Sequence, residues 1–146
     1  MMTIAAMRRF ICLLRNFDVT LIDTSNPGSP TVLSSVPVGV GVPYGVTVVP
    51  LLNVILAPTN ATGPDLPTHM VAIASGEDNL ALLSTVQLPG GNFPLTVAVE
   101  PEGKFAFVAH IVDHKLSIIS LYPGTVETRA IEWLSAPGPS YVAVQP

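Results

Sequence analysis

Short apolar runs alternate with turn residues along most of this chain. The clearest example is residues 94–120, PLTVAVEPEGKFAFVAHIVDHKLSIIS. Two runs rich in Val, Ala and Phe flank a Pro-Glu-Gly turn, and a third run follows a turn that contains His and Asp. Runs of β-branched and aromatic residues bounded by Pro, Gly and Asp are typical of short strands joined by tight turns. The pattern therefore predicts an all-β chain.

The first eight residues of that stretch belong to a repeated motif, P-x-x-V-x-V-x-P. Its copies begin at Pro43, Pro94 and Pro139. They therefore lie about 50 and about 45 residues apart, and self-similarity at this period with four short strands per unit is typical of a β-propeller. The sequence thus predicts a partial β-propeller of about three four-stranded antiparallel blades.

Each predicted blade has four strands, named A to D from the propeller axis outward. We predict a first blade in residues 1–38 that lacks most of its inner strand, and complete blades in residues 44–88 and 95–134. Residues 139–146 would then form the inner strand of the next blade. The predicted strands are residues 45–49, 54–57, 70–75 and 80–88 in the second blade and 95–100, 105–109, 116–121 and 126–134 in the third.

The second predicted blade is longer than the third. The extra residues fall in an inserted B–C loop at residues 59–69, TNATGPDLPTH. Its prolines, glycine and polar residues predict a mobile loop that projects from the packed body. Rings take ~4–8 blades, so three blades predict a fragment of a six- to eight-bladed ring, or an assembly of copies. In either case further blades or a second copy would be needed to close the ring.

Composition alone would suggest a membrane protein. Hydrophobic residues make up 49% of the chain and charged residues 11%, against about 25% charged in a typical soluble domain. However, the most apolar window contains Pro37, Pro43 and Pro50, and prolines at this spacing argue against a spanning helix. Propeller strands are buried on both faces and are expected to be almost continuously apolar. We therefore predict a soluble protein with no membrane span.

Charge and cysteine content narrow the function further. The net charge is −4 and only six residues are basic, which leaves no basic stripe for a phosphate backbone and argues against nucleic-acid binding. The single cysteine, Cys12, excludes an internal disulfide and is expected to be a small buried hydrophobe. The apolar run at residues 10–14 is shorter than the core of a signal peptide, so we interpret it as a strand.

The segments GVTVVP, TVAVEPEGKFAFVAH and KLSIIS resemble the YVTN-type propeller repeat. The segment VTLIDTSNPGSPTVLSSVPVG is similar to the LVIVD repeat of microbial surface proteins. The resemblance implies a WD40/YVTN-repeat-like member of the lactonase-like seven-bladed propeller superfamily. It favours an extracellular, cell-surface or periplasmic location and leaves a cytoplasmic one open. The chain departs from the repeat at His110 and Thr59, where Asn is usual, and at residues 51–53, which replace an acidic turn.

Most candidate functional residues lie in the connections between strands B and C, which should emerge on one face of the propeller. The two predicted connections hold the three histidines together with Asn60, Asp65 and Asp113. His110 and His114 would flank a three-residue turn and face each other as cross-strand partners. His110, Asp113 and His114 are therefore weak catalytic candidates, and Glu100, an acidic residue at the end of an A strand, is another.

The same histidines suggest an alternative metal site formed by His69, His110 and His114. Structural zinc usually takes four protein ligands, and polar residues at hairpin tips are usually just solvated, so we predict no metal and no cofactor. Asn60 begins the sequon Asn-Ala-Thr in a predicted exposed loop, and is a glycosylation candidate in a secreted eukaryotic protein. Tyr44, Phe93 and Tyr141 lie beside the three A strands, where we expect packing between blades.

Three functions remain open from the sequence. The leading one is a non-enzymatic propeller module that presents loops to a protein or glycan partner. The second is part of a lactonase-like hydrolase, and the third is a truncated gene product without independent function. Of the residues at the predicted A-strand ends, only Glu100 could act as an acid or base, which weakens the case for catalysis by this chain alone.

Overall fold

Twelve strands and no helix are found in the part of the chain that the structure, a computed structural model, describes. That part comprises residues 10–15, 17–60, 67–76, 78–88, 93–122, 125–133 and 143–144. The strands are β1 (Phe10–Arg15), β2 (Asp18–Asp23), β3 (Thr31–Pro37), β4 (Val42–Pro43), β5 (Thr47–Val49), β6 (Val54–Asn60), β7 (Thr68–Ser75), β8 (Leu80–Leu88), β9 (Pro94–Val99), β10 (Phe105–His110), β11 (Lys115–Tyr122) and β12 (Thr125–Trp133). The predicted all-β class is confirmed.

The strands form three antiparallel sheets that follow one another along the chain. The first sheet has the order β1-β2-β3 and the third has the order β12-β11-β10-β9. In the second sheet β6, β7 and β8 are neighbours in that order, and both β4 and β5 pair with the inner side of β6. Successive hairpins within each sheet, and packing of one sheet against the next, make the chain a partial propeller.

The bounds of the B–C insertion differ from the prediction. β6 continues to Asn60 and β7 begins at Thr68, with Thr59 paired to His69 and Asn60 paired to Thr68. Both ends of the predicted 59–69 loop are therefore strand, because pairing satisfies the backbone groups of these buried residues. Residues 61–66, the rest of that prediction, lie outside the described residues.

The central strands of the second sheet, β6 and β7, are buried on both faces. Side chains alternate along these strands, so that Val54 and Leu56 face the third sheet while Ile55 and Ala57 face the first. The core between the second and third sheets consists of Val49, Val54, Leu56, Met70, Ala72, Leu88, Ala106, Val108, Ile119 and Leu121. This two-sided burial explains why the middle of the sequence is almost without charge. Among the described residues there is no helix long and apolar enough to cross a membrane.

A β-bulge recurs in the outer strand of every sheet. The pairing register skips Leu33 in β3, Leu83 in β8 and Arg129 in β12. A bulge adds twist to an edge strand and disfavours pairing with another chain. The three bulges stand about 46 to 50 residues apart, in step with the sequence repeat.

The inner strands are also irregular, and two of them approach closely. The inner strand of the second sheet is interrupted between β4 and β5, and the register of β9 shifts near its start. Gly45 lies in that interruption, where a Cβ atom would stand 2.7 Å from the carbonyl oxygen of Leu95. The backbone of the third sheet therefore occupies the space that a side chain at position 45 would need, so this approach of the two sheets requires glycine.

Candidate functional site

Glu100, a candidate acid or base, forms hydrogen bonds within its own turn. Its carboxylate accepts hydrogen bonds from the backbone N–H groups of Glu102 at 2.9 Å and Phe105 at 3.2 Å, and from that of Lys104. Desolvation acts to raise the pKa of Glu100, but these backbone hydrogen bonds outweigh it and lower the pKa below its ordinary value. The contacts give Glu100 a structural role in the turn between β9 and β10.

His110 ends β10 as a fully buried side chain. Its Nε2 atom lies 2.7 Å from the Oγ atom of Ser117 on β11. Burial lowers the pKa of His110 to about 4; the carboxylate of Asp113 opposes this shift and Lys115 adds to it. The imidazole is therefore neutral at neutral pH. A Ser–His pair at this distance has the geometry of a nucleophile and its base, but neither side chain has any exposure through which a substrate could reach it.

The turn that follows His110 is longer than predicted. His110 pairs with Lys115, so residues 111–114 form the turn and His114 lies within it. His114 is exposed and has a φ of 53°, a left-handed conformation suited to the last residue of a short hairpin loop. The expectation that His110 and His114 face each other as cross-strand partners is therefore wrong.

The histidines do not come together as a metal site. His69 alternates with Val71 and Ile73, which face the first sheet, whereas His110 alternates with Ala106 and Val108, which face the second sheet from the third. In the described ranges there is no group of three or more His, Cys, Asp or Glu side chains that could hold a metal ion. The alternative set of His69, His110 and His114 is thus not assembled.

Asn60 occupies a different environment from the one predicted. It ends β6 with 6% of its surface exposed, not in an exposed loop, and its Oδ1 atom is buried without a hydrogen-bond partner. Its glycosylation stays a prediction, which this burial disfavours because the modification requires an accessible side chain. Asn60 shares the face of β6 that carries Val54 and Leu56, so it points toward the third sheet.

An exposed aromatic pair lies at the same end of the second and third sheets. The rings of Tyr44 and Phe93 have centroids 5.4 Å apart and planes inclined by 46°. Each residue remains 40% exposed. The backbone N–H of Tyr44 donates to the carbonyl of Pro58 at 3.2 Å, and the carbonyl of Phe93 accepts from Ile111 at 3.1 Å. The rings do pack between sheets, as the sequence suggested, but they keep much of their surface in solvent. Tyr141 lies outside the described residues.

The strand register places this aromatic pair beside two buried polar side chains. Asn60 pairs with Val42, two residues before Tyr44, and His110 pairs with Pro94, directly after Phe93. The Oδ1 atom of Asn60 and the Nδ1 atom of His110 are both buried and lack a hydrogen-bond partner. We refer to Tyr44, Phe93, Asn60 and His110 as the aromatic–polar site. Tyr44 follows Pro43 and Phe93 precedes Pro94, the prolines that begin two copies of the repeat, and this position is the sequence signal for both aromatic residues.

The opposite end of the second sheet carries an open apolar groove of about 570 Å³. It runs between the turn after β5 and the turn after β7, and Leu51 on its rim is 69% exposed. Its lining residues are Leu51, Leu52, Asn53, Val54, Ala74, Ser75, Gly76, Asn79, Ala81 and Leu83. None of the described residues that line the groove is ionisable, so these residues offer a contact surface and no acid or base.

The fold is shared with solved lactonase-like propellers. No protein-family model and no curated protein sequence matches the chain. The periplasmic gluconolactonase of Pseudomonas aeruginosa superimposes with a TM-score of 0.71 at 16% identity, over 88% of this chain and 37% of that one. A protein described as a candidate 6-phosphogluconolactonase from Bacteroides uniformis superimposes with a TM-score of 0.67 at 13% identity, over 86% of this chain and 37% of that one. A protein from Bacteroides fragilis with the same description superimposes with a TM-score of 0.67 at 12% identity, over 86% of this chain and 35% of that one.

These similarities establish the fold and nothing about chemistry, because the identities are too low to carry residue roles. The chain spans little more than a third of the length of each of these three proteins. Any activity of a whole propeller is therefore a matter for proposal.

Proposed function

We propose that the chain is a non-enzymatic β-propeller module that binds a partner at the end bearing the aromatic–polar site. The observation that carries the proposal is the exposed Tyr44–Phe93 pair beside two buried polar atoms without partners. Tyr and Phe are enriched where proteins bind partners, and 40% of each residue is exposed. Glu100 and His110 are meanwhile engaged in hydrogen bonds within the third sheet, Glu100 in the turn between β9 and β10 and His110 with Ser117 of β11.

In this proposal the first and third sheets each have one face available to further sheets. Supplied by the same polypeptide or by a second copy, such sheets would complete a ring. Apolar surface left in water costs about 25 cal/mol per Å², and Phe105 on the third sheet is 40% exposed. Binding at the aromatic–polar site does not depend on how the ring is completed, because both sheets that form the site are present.

A lactonase-like hydrolase is the second candidate, and it is supported by the similarity to three structures described as gluconolactonases or candidate 6-phosphogluconolactonases. The candidate catalytic residues for such a hydrolase are Glu100, Asp113, His114 and the buried His110. The neutral imidazole of His110 could accept a proton, but its complete burial keeps it from a substrate. We therefore favour the binding module.

The experiment that separates these functions is a lactone hydrolysis assay with the purified full chain. D-glucono-1,5-lactone and its 6-phosphate would be followed by proton release near pH 7, with and without protein. We expect the spontaneous rate in both cases. Acceleration that disappears in His110→Asn or Glu100→Gln would overturn the proposal in favour of the hydrolase.

A further inference from the structure

We propose that the inner edge of β1 binds residues 139–146 of a second copy of this chain, and that two chains close a six-bladed ring by exchanging one strand each. The inference goes beyond partner binding at the aromatic–polar site and does not depend on it. It rests on an incomplete first sheet, on a third copy of the repeat motif, and on the register that the recurring bulges define.

Within the described part of the chain, the first sheet has no inner strand of the kind found in the other two sheets. In those sheets the inner strand, β5 or β9, pairs with the next strand along the chain, β6 or β10. The corresponding strand of the first sheet is β1, which ends the sheet order, and no described strand pairs with its other edge. The pairing of β1 with β2 is regular from Phe10 to Arg15, without a bulge. The free edge of β1 is therefore a regular row of backbone donors and acceptors, suited to the addition of a strand.

The third copy of the P-x-x-V-x-V-x-P motif supplies a strand of the missing type. The first two copies begin at Pro43 and Pro94 and contain the inner strands β5 and β9. The third copy begins at Pro139, after the last strand of the third sheet. Its described residues, Ala143 and Val144, lie in no strand, and Ala143 is exposed. The chain thus carries one sheet without a described inner strand and one inner-strand motif whose described residues belong to no sheet.

The motif cannot complete the first sheet of its own chain. The first and third sheets pack on opposite faces of the second, and because packed sheets lie about 10 Å apart, these two are ~20 Å apart. The step from Leu88 at the end of β8 to Pro94 in the neighbouring sheet is as long as the step from Trp133 at the end of β12 to Pro139. A connection of this length spans at most ~20 Å when fully extended, and it would have to pass the second sheet. It places the motif beyond the third sheet, on the side away from the first.

The recurring bulges define which residues are equivalent in the three sheets. The pairing with the outer strand shifts directly after one residue of each sheet, namely Leu21, Ala72 and Ile118. On their other side these residues pair, respectively, with Cys12, Leu56 and Phe107. Cys12 of β1 therefore occupies the position that Leu56 occupies in β6 and Phe107 in β10.

This equivalence also defines the register of the added strand. In the two complete sheets the inner-strand partner of that position is Thr47 or Ala98. Both are the fifth residue of their copy of the motif, and the fifth residue of the third copy is Ala143. In the exchanged pairing, Ala143 of one chain therefore lies opposite Cys12 of the other.

The same arrangement covers an apolar face that the third sheet leaves open. Ala106 and Val108 of β10 pack against the second sheet, so Phe105 and Phe107 stand on the opposite face. Phe107 lies opposite Ile118 of β11, and Phe105 is 40% exposed. The sheet that follows this face is the first sheet of the second copy, because the exchanged strand belongs to it. Two-fold symmetry repeats the contact, and two chains of three sheets give six blades, within the range of ~4–8 that rings take.

The test measures the mass and a cross-link of the purified full chain. Light scattering during size-exclusion chromatography should give twice the 15.3 kDa of one chain. In Ala143→Cys, mild oxidation with copper phenanthroline should join most of the protein into a covalent dimer through Cys12, the single cysteine of the natural sequence. Opposite residues of antiparallel strands have Cα atoms ~4.5–5.5 Å apart, a distance that a disulfide spans. The covalent dimer should disappear on reduction.

Three control proteins define the cross-link. Wild type and the double variant Cys12→Ser/Ala143→Cys each have one cysteine, and both should run as single chains on a non-reducing denaturing gel. Val144→Cys should cross-link at least about fivefold less than Ala143→Cys, because successive residues of a strand face opposite sides.

A single-chain mass at every protein concentration would overturn the inference. So would a disulfide formed within one chain of Ala143→Cys, which would show that the motif returns to its own first sheet. Equal cross-linking of Ala143→Cys and Val144→Cys would refute the register and the strand exchange with it. A ladder of larger species would show an open series of chains and refute the closed ring of two.

Discussion

The Nε2 atom of His110 and the Oγ atom of Ser117 lie 2.7 Å apart across β10 and β11. The two residues are not directly paired, because Ser117 lies opposite Val108 and His110 lies opposite Lys115. The hydrogen bond is therefore a diagonal cross-strand contact on the face that packs against the second sheet. It places a polar pair at the end of an apolar interface.

The first prediction concerns pH. The pKa of His110 is lowered from 6.5 to about 4 by burial, so between these values the unfolded chain binds a proton that the folded chain does not. Stability should therefore fall as the pH drops from about 6.5 toward about 4. A shift of this size corresponds to about 3 kcal/mol. Urea unfolding at pH 7, 5.5 and 4 would measure the loss.

The matched variants for this prediction are His110→Gln and His114→Asn. His110→Gln removes the buried titrating group and should flatten the pH dependence in this range, although the protein is less stable at pH 7. His114 is exposed at a φ of 53°, which Asn tolerates well. His114→Asn should keep the wild-type pH dependence. Equal slopes for wild type and His110→Gln would show that His110 is not the responsible group.

The second prediction concerns Ser117. Replacing it with Ala leaves Nε2 of His110 buried without its partner, while the Nδ1 atom already lacks one. The expected loss of unfolding free energy is about 1–3 kcal/mol. Ser35→Ala is the control, because Ser35 also bonds a neighbouring strand, at Thr20, but on an exposed surface. A change in the control as large as in Ser117→Ala would contradict the role of burial.

The third prediction concerns the contact of the two inner strands. Gly45→Ala would place a methyl group 2.7 Å from the carbonyl oxygen of Leu95, an atom held by the backbone. We expect a loss of about 1–3 kcal/mol, which is typical of overpacking. At Gly28 the nearest atom to an added methyl group would be 3.6 Å away. Thermal melts should therefore show little change for Gly28→Ala, and equal melting temperatures for Gly45→Ala and wild type would refute the close approach.

The sequence predicted the strands well because their periodicity and their turns are local features. β8 occupies the predicted residues, and β5 and β9–β12 lie within about a residue or two of prediction. The recurring bulges at Leu33, Leu83 and Arg129 were not predicted. A bulge changes which residues pair without requiring a particular residue type, so it leaves little trace in a single sequence.

The candidate site was only partly predictable, because burial depends on how sheets pack. The sequence singled out His110 and Asn60 as candidates, but it treated both as exposed hairpin residues, whereas both are buried. A hairpin of residues 111–114 and a longer β6 instead move both side chains into the interface. Tyr44 and Phe93 were identified as neighbours of the inner strands, whereas their contact and exposure arise from packing between sheets.

The last prediction concerns Glu100. Its carboxylate accepts three backbone hydrogen bonds within one turn, so Glu100→Gln should lower the melting temperature at pH 7. The Gln amide has one acceptor oxygen in place of two, and its NH₂ group would face backbone donors.

Because these hydrogen bonds lower the pKa of Glu100 below 4.5, they stabilise the fold above that value and are lost as the pH falls through the lowered pKa. The difference between wild type and Glu100→Gln should therefore shrink in acid. Glu102→Gln is the control, since Glu102 pairs with Lys104 through side chains that are each 67% exposed. Exposed ion pairs contribute little to stability, so its melting temperature should stay near that of wild type. An equal decrease in Glu102→Gln, or a Glu100→Gln difference that persists in acid, would show that the ionised carboxylate of Glu100 does not hold this turn.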